Sequence, residues 1–313
     1  MGKYNHYYMN CQRIVQVTFG IFCANAHLYQ IFVIQTTLKI FTTRQQITRY
    51  FANKAGKTVG FVPTMGALHN GHISLIKQAQ QISTEVVCSI FVNPTQFNDP
   101  KDLEKYPRPI AADIAMLEQA GCDILFNPAV DEMYDDNEKW HLDIGTLEHL
   151  LEGKFRPGHY QGVMQVVNKL FNIVKPDIAF FGQKDYQQFM VISKMVSLLN
   201  IPVKLVMCPI LRDADGLAMS SRNIHLTADD RQHALILSKT LNRVKTNFNS
   251  GSIPGLQQQA EQMIAGEPGI ALEYFEIVDG DTLLPATADT KSIVALVAAR
   301  AGKTRLIDNM LIL

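Results

Sequence analysis

An excess of charge of either sign is missing from this sequence. Lysine plus arginine number 29 and aspartate plus glutamate 29, for a formal net charge of zero. A chain without a strong field of its own has no general hold on nucleic acid or an anionic membrane. Neither is expected as a partner, and any phosphate site must come from locally arranged groups. Cysteine is sparse and unpatterned: Cys11, Cys23, Cys88, Cys122 and Cys208 are widely spaced and form no C-x-x-C pair. This excludes a disulfide framework and a cysteine zinc site and fits a reducing cytoplasm. Two Gly-Lys-Thr triplets begin at Gly56 and Gly302, but a phosphate-binding P-loop needs another glycine five positions earlier. Phe51 and Val297 stand there, so both triplets are read as turns entering strands. Internal repeats and low-complexity tracts are lacking as well.

What is present is apolar bulk. Of 313 residues, 47% are hydrophobic, enough for a large core and, by length, about two domains. Residues 1–35 stand apart. The run from Ile14 to Ile34 is long enough to span a bilayer, but Gln16, Asn25, His27 and Gln30 interrupt it and no small-residue cleavage site follows. It is read as an upstream extension from a start codon placed too early, not as an anchor.

From Lys57 onward, β-branched runs alternate with amphipathic stretches. KTVGFVP, EVVCSIFV, CDILFNP, PDIAFFG and PVKLVMCP read as strands. Between them GHISLIKQAQQI, IAADIAMLEQAG (closed by Gly121), QGVMQVVNKLFNIV and YQQFMVISKMVSLL read as helices. The segment LKIFTTRQQITRYFANKAGK supplies a preceding helix with Thr43 as its N-cap and Ile47, Tyr50 and Phe51 on one face. Strand–helix alternation implies a Rossmann-like, doubly wound parallel sheet with its ligand site at the carboxyl ends of the strands. After Arg212 the pattern changes. A helix capped by Thr227, a break at NSGSIPG, a helix around 256–264 and three strand-like runs predict a smaller α+β domain. The boundaries are set at 1–35, 36–211 and 212–313. The acidic run DEMYDDNE at 131–138 is read as a solvated loop.

The first predicted strand ends in PTMGALHNGH, which places His69 and His72 three apart at the mouth of a helix, with Gly71 between them. That spacing puts both imidazoles on one face. A helix N-terminus offers N–H groups and a positive dipole end to phosphate, and a glycine lets phosphate approach the backbone. A zinc reading of H-x-x-H is weak, because the sequence identifies no third ligand.

HNGH resembles the H-x-G-H signature of the nucleotidylyltransferase superfamily. Met219-Ser220-Ser221-Arg222 resembles the second signature in the form it takes in the pantothenate synthetase family. FVNPTQF (91–97), YPR (106–108), RPGHYQGV (156–163), FGQKDYQQ (181–188), DGLAMSSRN (215–223) and the terminal GKTRLIDN are similar to the same family, in order, from about Thr37 to the end. The resemblance implies an ATP-dependent ligase, AMP-forming, that joins pantoate to β-alanine through a pantoyl-adenylate. It implies that His69 and His72 stabilise charge at the α-phosphorus, with Lys184, Ser220, Ser221 and Arg222 on the phosphates. It further implies that Met65, Gly71, Gly182, Asp185 and Met219 complete the nucleotide site, Asp185 at the ribose. Gln96 and Gln188 would hold pantoate, lined by Met65, with Arg156 and His159 nearby. Mg²⁺ would bridge phosphate oxygens, with Asp113 a candidate ligand. The family also implies a cytoplasmic homodimer.

The residue types suit this chemistry independently. A carboxylate must acquire a good leaving group before an amine can displace it, and AMP is one. Adenylation builds charge on a phosphoryl centre, which fixed donors and cations stabilise.

Overall fold

The computed structural model describes residues 37–53, 56–135, 138–248 and 252–313. The apolar run at 14–34, the middle of the acidic loop (136–137) and part of the Gly/Ser/Pro break (249–251) lie outside the described residues.

Residues 36–313 form one compact unit built on two sheets. The first sheet has strands β1 (Lys39–Phe41), β2 (Val59–Thr64), β3 (Glu85–Ile90), β4 (Ile124–Phe126), β5 (Ile178–Gly182) and β6 (Lys204–Cys208). All its pairings are parallel, in the order β1-β4-β3-β2-β5-β6. The helices are α1 (Arg44–Phe51), α2 (Asn70–Ile82), α3 (Pro100–Lys105), α4 (Ile110–Ala120), α5 (Val130–Met133), α6 (Leu151–Phe155), α7 (His159–Val174), α8 (Tyr186–Leu198), α9 (Ala228–Asn247) and α10 (Ile253–Ala265). The second sheet is antiparallel, β7 (Ile270–Asp279), β8 (Ile293–Ala301) and β9 (Thr304–Leu311), in that order.

The parallel sheet is buried on both faces, as its unbroken apolar strands require. On one face Phe61, Val87, Ile124 and Phe181 pack against Ile47 of α1, Met164, Val167 and Phe171 of α7, and Val191 and Ile192 of α8. On the other, Val62, Val86, Cys88 and Leu125 pack against Ile76 and Ala79 of α2 and Leu117 of α4. Cys88, Cys122 and Cys208 are buried thiols in this second layer. The antiparallel sheet buries Phe275, Ile277, Ala295 and Val297 under α9 and α10. Its other face meets the first turn of α8, where Tyr186 touches Val278, Val294 and Leu296.

The predicted caps are present. Thr43 and Gln46 close a capping box on α1, Thr227 accepts from Asp230 N on α9, and Gly121 (φ 70°) ends α4. One expectation changes. Ahead of Thr43, Lys39–Phe41 is a sheet-edge strand paired with β4, so the parallel sheet has six strands where five were expected. The loop after β3 holds a short helix, α3, started by Asp99 and Pro100. Strand order reverses around β2, whose neighbours are β3 and β5, and a ligand crevice is expected at the carboxyl ends of these strands. No helix among the described residues is long and apolar enough to cross a membrane.

Candidate active site

A cavity of about 270 Å³ opens at that position. Its walls come from the β2–α2 loop, the segment after β3, the α6–α7 region, the β5–α8 turn, the loop 209–222, and β7, β8 and β9 of the second sheet. Met65, Gly71, His69, His72, Gln96, Arg156, His159, Gly182, Lys184, Asp185, Gln188, Met219, Ser220, Ser221 and Arg222 all line it. Of the sequence-derived site residues, Asp113 alone is not among the lining residues.

His69 is the N-cap of α2 and not part of its first turn. Its Nδ1 accepts from Gly71 N at 3.1 Å, and His72 Nδ1 accepts from His69 N at 3.3 Å. A ring nitrogen that accepts from a backbone N–H is unprotonated, so the neutral ring carries its hydrogen on Nε2. Each imidazole is therefore fixed as an Nε2–H donor, and the two rings lie 4.0 Å apart, centre to centre. Burial, with Lys184 nearby, holds His69 down to about 4, and burial beside His69 holds His72 down to about 3. Both are neutral donors at pH 7, not cations.

Gly71 also serves a contact within the protein. Its N–H is taken by His69, and a Cβ there would lie 2.8 Å from His69 Cε1 and Nδ1. Glycine is needed to seat the His69 ring. Asp113 is likewise committed elsewhere. Its carboxylate accepts from Ala67 N at 2.9 Å and Leu68 N at 2.7 Å, and it is 2% exposed. Two backbone N–H bonds use its charge to shape the loop leading to His69, in which Gly66 and Ala67 both have positive φ. It is not placed to ligate an ion in the cavity. No group of three histidine, cysteine or acidic side chains that could hold a metal is gathered among the described residues.

Gln96 ends a short 3₁₀ turn, Pro94–Gln96. Its Nε2 lies 3.1 Å from Met65 Sδ and its Oε1 accepts from Asn93 Nδ2 at 3.1 Å. Fully buried Asn93, which sequence reasoning left as a motif position only, also donates to Gly162 O at 3.1 Å and accepts from Tyr134 OH at 2.6 Å. Gly162 admits this turn, because a Cβ there would sit 2.4 Å from Thr95 O. His159 Nδ1 donates to Gln96 O at 2.8 Å and its Nε2 accepts from Arg156 Nη1 at 3.1 Å. Burial and the adjacent guanidinium hold His159 down to about 4. Both its nitrogens are occupied by protein, so it braces Gln96 and Arg156.

Charge in the cavity is unbalanced. Among the described residues, Lys184, Arg156 and Arg222 are in no ion pair. Burial and Arg222 push the Arg156 pKa down. Of the acidic lining groups, Glu152 is paired with Arg305 at 2.7 Å and Asp308 with Arg212 at 2.6 Å, which leaves Asp185. The half-buried Tyr106 ring lies beside Ser221 and Arg222 and stacks edge-on against Phe97. Asp308, Asn309, Arg212, Glu152 and Tyr106 were missed as site residues. Tyr106 and Asn309 sit in motifs already singled out, YPR and GKTRLIDN, but their roles depend on partners remote in sequence.

The family model described as Pantoate-beta-alanine ligase matches residues 37–311. A pantothenate synthetase of Bacteroides thetaiotaomicron is 47% identical over 82% of this chain and 91% of its own length. One from Porphyromonas gingivalis is 44% identical over 87% of this chain and 99% of its own length. Among solved structures, the pantothenate synthetase from Thermus thermophilus superposes with a TM-score of 0.83 at 39% identity, covering 88% of this chain and 99% of that one. The pantoate-beta-alanine ligase from Francisella tularensis, complexed with beta-gamma ATP and beta-alanine, gives 0.74 at 36% identity over 88% of this chain and 98% of that one.

Proposed function

Because the chain belongs to the pantoate–β-alanine ligase family, we propose that it condenses the two substrates at the expense of ATP, through a pantoyl-adenylate. The observation that carries this reading is the division of the cavity. Two cations in no ion pair, Lys184 and Arg222, line it with two neutral imidazole donors, and the neutral amides of Gln96 and Gln188 line it too, Gln96 tied through His159 to the third unpaired cation, Arg156.

The first part suits a triphosphate. The pantoate carboxylate attacks the α-phosphorus as the bond to pyrophosphate breaks. Charge grows on the equatorial oxygens, where the Nε2–H groups of His69 and His72 and the ammonium of Lys184 are already oriented. Ser220, Ser221 and Arg222 hold the phosphates from the opposite side, the Arg222 fork suiting two oxygens at once. Asp185 takes the ribose hydroxyls, and Gly182 and Met219 complete the wall. The second part suits pantoate: Gln96 and Gln188 bind its hydroxyls and carboxylate with neutral amides, which do not over-stabilise the nucleophile, and Arg156 stands nearby, held by His159. The free amine of β-alanine then attacks the acyl carbon, a C–N bond forms, AMP leaves with the electrons of the C–O bond, and the nitrogen gives up a proton to the departing AMP or to solvent.

The protein's own donors do not fit a resident Mg²⁺, since Asp113 is spent on the backbone. The ion would enter on the phosphates of ATP, where it would screen their charge. On the same reading residues 36–211 bind nucleotide and pantoate, 212–313 bring the Met219–Arg222 loop, and the enzyme works as a cytoplasmic homodimer. Labelled pyrophosphate should exchange into ATP when pantoate is present and β-alanine is absent. Exchange that strictly required β-alanine would overturn the two-step scheme.

A further inference from the structure

The last strand carries two consecutive polar residues that are almost wholly hidden, Asp308 at 4% exposure and Asn309 at 1%. Both line the cavity, and each reaches across to a different loop of the site.

Asn309 holds the β5–α8 turn. Its Nδ2 donates to Gln183 O and to Lys184 O, each at 2.9 Å, and its Oδ1 accepts from Gln183 Nε2 at 3.0 Å. Two successive carbonyls converge on one NH₂ group, a geometry that uses both of its hydrogens. The turn they belong to is the one that carries Lys184 and Asp185.

Asp308 holds the other loop. Its carboxylate grips Arg212 in a two-toothed pair, at 2.6 and 2.9 Å, and also accepts from Asn309 N at 2.8 Å. Arg212 donates on to Gly216 O at 3.1 Å and forms a β-bridge with Ala218. Asp213 N to Leu217 O (2.8 Å) and Met219 N to Leu211 O (3.0 Å) close the same hairpin, which delivers Met219 to Arg222.

We propose that Asp308 and Asn309 are a pair of positioning residues, a yoke that sets the Lys184 turn and the Met219–Arg222 loop at a fixed separation across the reacting phosphate. The proposal rests on the reading of the site given above. Neither residue is required to touch substrate. Asn309 acts through Lys184, and Asp308 acts through Arg212. The antiparallel sheet thereby takes part in the chemistry of a site whose histidines and Lys184 are carried by loops of the parallel one. The effect is one of placement: a displacement of about 1 Å in such a group can cost up to about a hundredfold in rate.

The test compares full-length Asn309→Ala and Asn309→Asp with the parent protein by two measurements. The first is backbone hydrogen exchange of the 182–186 segment against that of β2. The second is the single-turnover rate of adenylation, alone and in a Lys184→Ala background. Exchange at 182–186 should quicken about tenfold or more while β2 is unchanged, and adenylation should fall about tenfold. Asp keeps the acceptor and loses both donors, so it should behave as Ala. In the Lys184→Ala background the further loss should shrink to less than about twofold, since the two residues act as a unit. Unchanged exchange with an unchanged rate, rescue by Asp, or the full additional loss without Lys184 would each overturn the yoke. Equal quickening in β2 would overturn it too, by making Asn309 a general support of the fold. A parent protein with no pantoate-dependent adenylation would sink the functional reading instead, and the exchange comparison would still decide the yoke.

Discussion

Two loops of this molecule present histidine to the same cavity, and they use opposite tautomers. In the β2–α2 loop, backbone N–H groups donate to Nδ1 of His69 and His72, so both rings show Nε2–H to the cavity. In the α6–α7 loop, His159 donates from Nδ1 to Gln96 O and accepts at Nε2 from Arg156. All three are held neutral by burial. The difference lies in what the backbone offers. A helix N-terminus has spare donors and makes imidazole an acceptor at its near nitrogen. The turn at Pro94–Gln96 offers a carbonyl and makes it a donor. One pair is left free to work on a ligand, and the other ring is spent on bracing a pocket wall.

The largest expected effect breaks the first loop. His72→Ala should slow adenylation about a hundredfold or more, the usual loss for one preorganised donor. His72→Gln places an amide N–H close to where Nε2–H was and should recover most of the rate, whereas His72→Asn, whose amide is one bond shorter, should not. Single-turnover measurements on the three variants decide this. Equal rates for Gln and Asn would mean that the Nε2 hydrogen is not the active feature.

A smaller loss should follow Gly71→Ala. The new Cβ would stand 2.8 Å from the His69 ring, and the ring, tied only through Nδ1, is what must move. Adenylation should drop about tenfold, with the melting temperature changed by only a few degrees. Full activity would show that His69 need not sit where it does.

In the second loop the amide preference should reverse. His159→Asn keeps a donor near Nδ1 for Gln96 O, and His159→Gln puts its NH₂ towards the Arg156 guanidinium. Asn should be the better replacement there. Loss of the brace should appear as a several-fold rise in the pantoate KM with a smaller change in kcat, because it loosens a binding wall and leaves the phosphate donors intact. Steady-state kinetics at saturating ATP measure both. A fall in kcat with an unchanged pantoate KM would place His159 on the reacting groups and erase the contrast.

The sequence showed the first loop better than the second, for physical reasons. H-x-G-H is local: the N-cap, the glycine and both rings lie within His69–His72, so spacing alone brings them together. The alternation of strands and helices was equally local, and the five strands from β2 to β6, the major helices and the caps at Thr43 and Thr227 lie where periodicity put them. Strand β1 was not singled out as a strand, because its three residues on a sheet edge stand ahead of the helix cap with no turn signal or run of their own. That Gly71 also seats the His69 ring was not legible, because phosphate approach and ring seating demand the same residue. The roles of Asn93 and Asn309 were out of reach. Their partners are 69 and 126 positions away, and an asparagine reads the same whether it is solvated or buried in a network.

The smallest expected effect tests what the two loops share. An imidazole held down to about 4 or about 3 in the folded protein, against an ordinary 6.5, refuses a proton that the unfolded chain accepts. Unfolding below pH 6.5 then takes up protons, so stability rises with pH across that interval. The contribution is fully present above 6.5, falls as pH drops towards about 4, and levels off once the folded rings also protonate. His233 runs the other way. Hydrogen bonding to Glu267 raises its pKa, so its contribution is complete below 6.5 and is lost as pH rises through the raised value. That side chain is solvent-screened and its share is small. Melting temperature measured from pH 8 to 4 should therefore fall chiefly below 6.5, and His159→Ala and His72→Ala should each flatten that fall while leaving the region above 6.5 nearly unchanged. The adenylation rate of the parent enzyme should show no step at 6.5, since neither donor changes charge there. A step in the rate at 6.5 that vanished in His72→Ala would show that this ring works as a cation, and the contrast between a donor loop and a brace loop would have to be redrawn on charge instead of on tautomer.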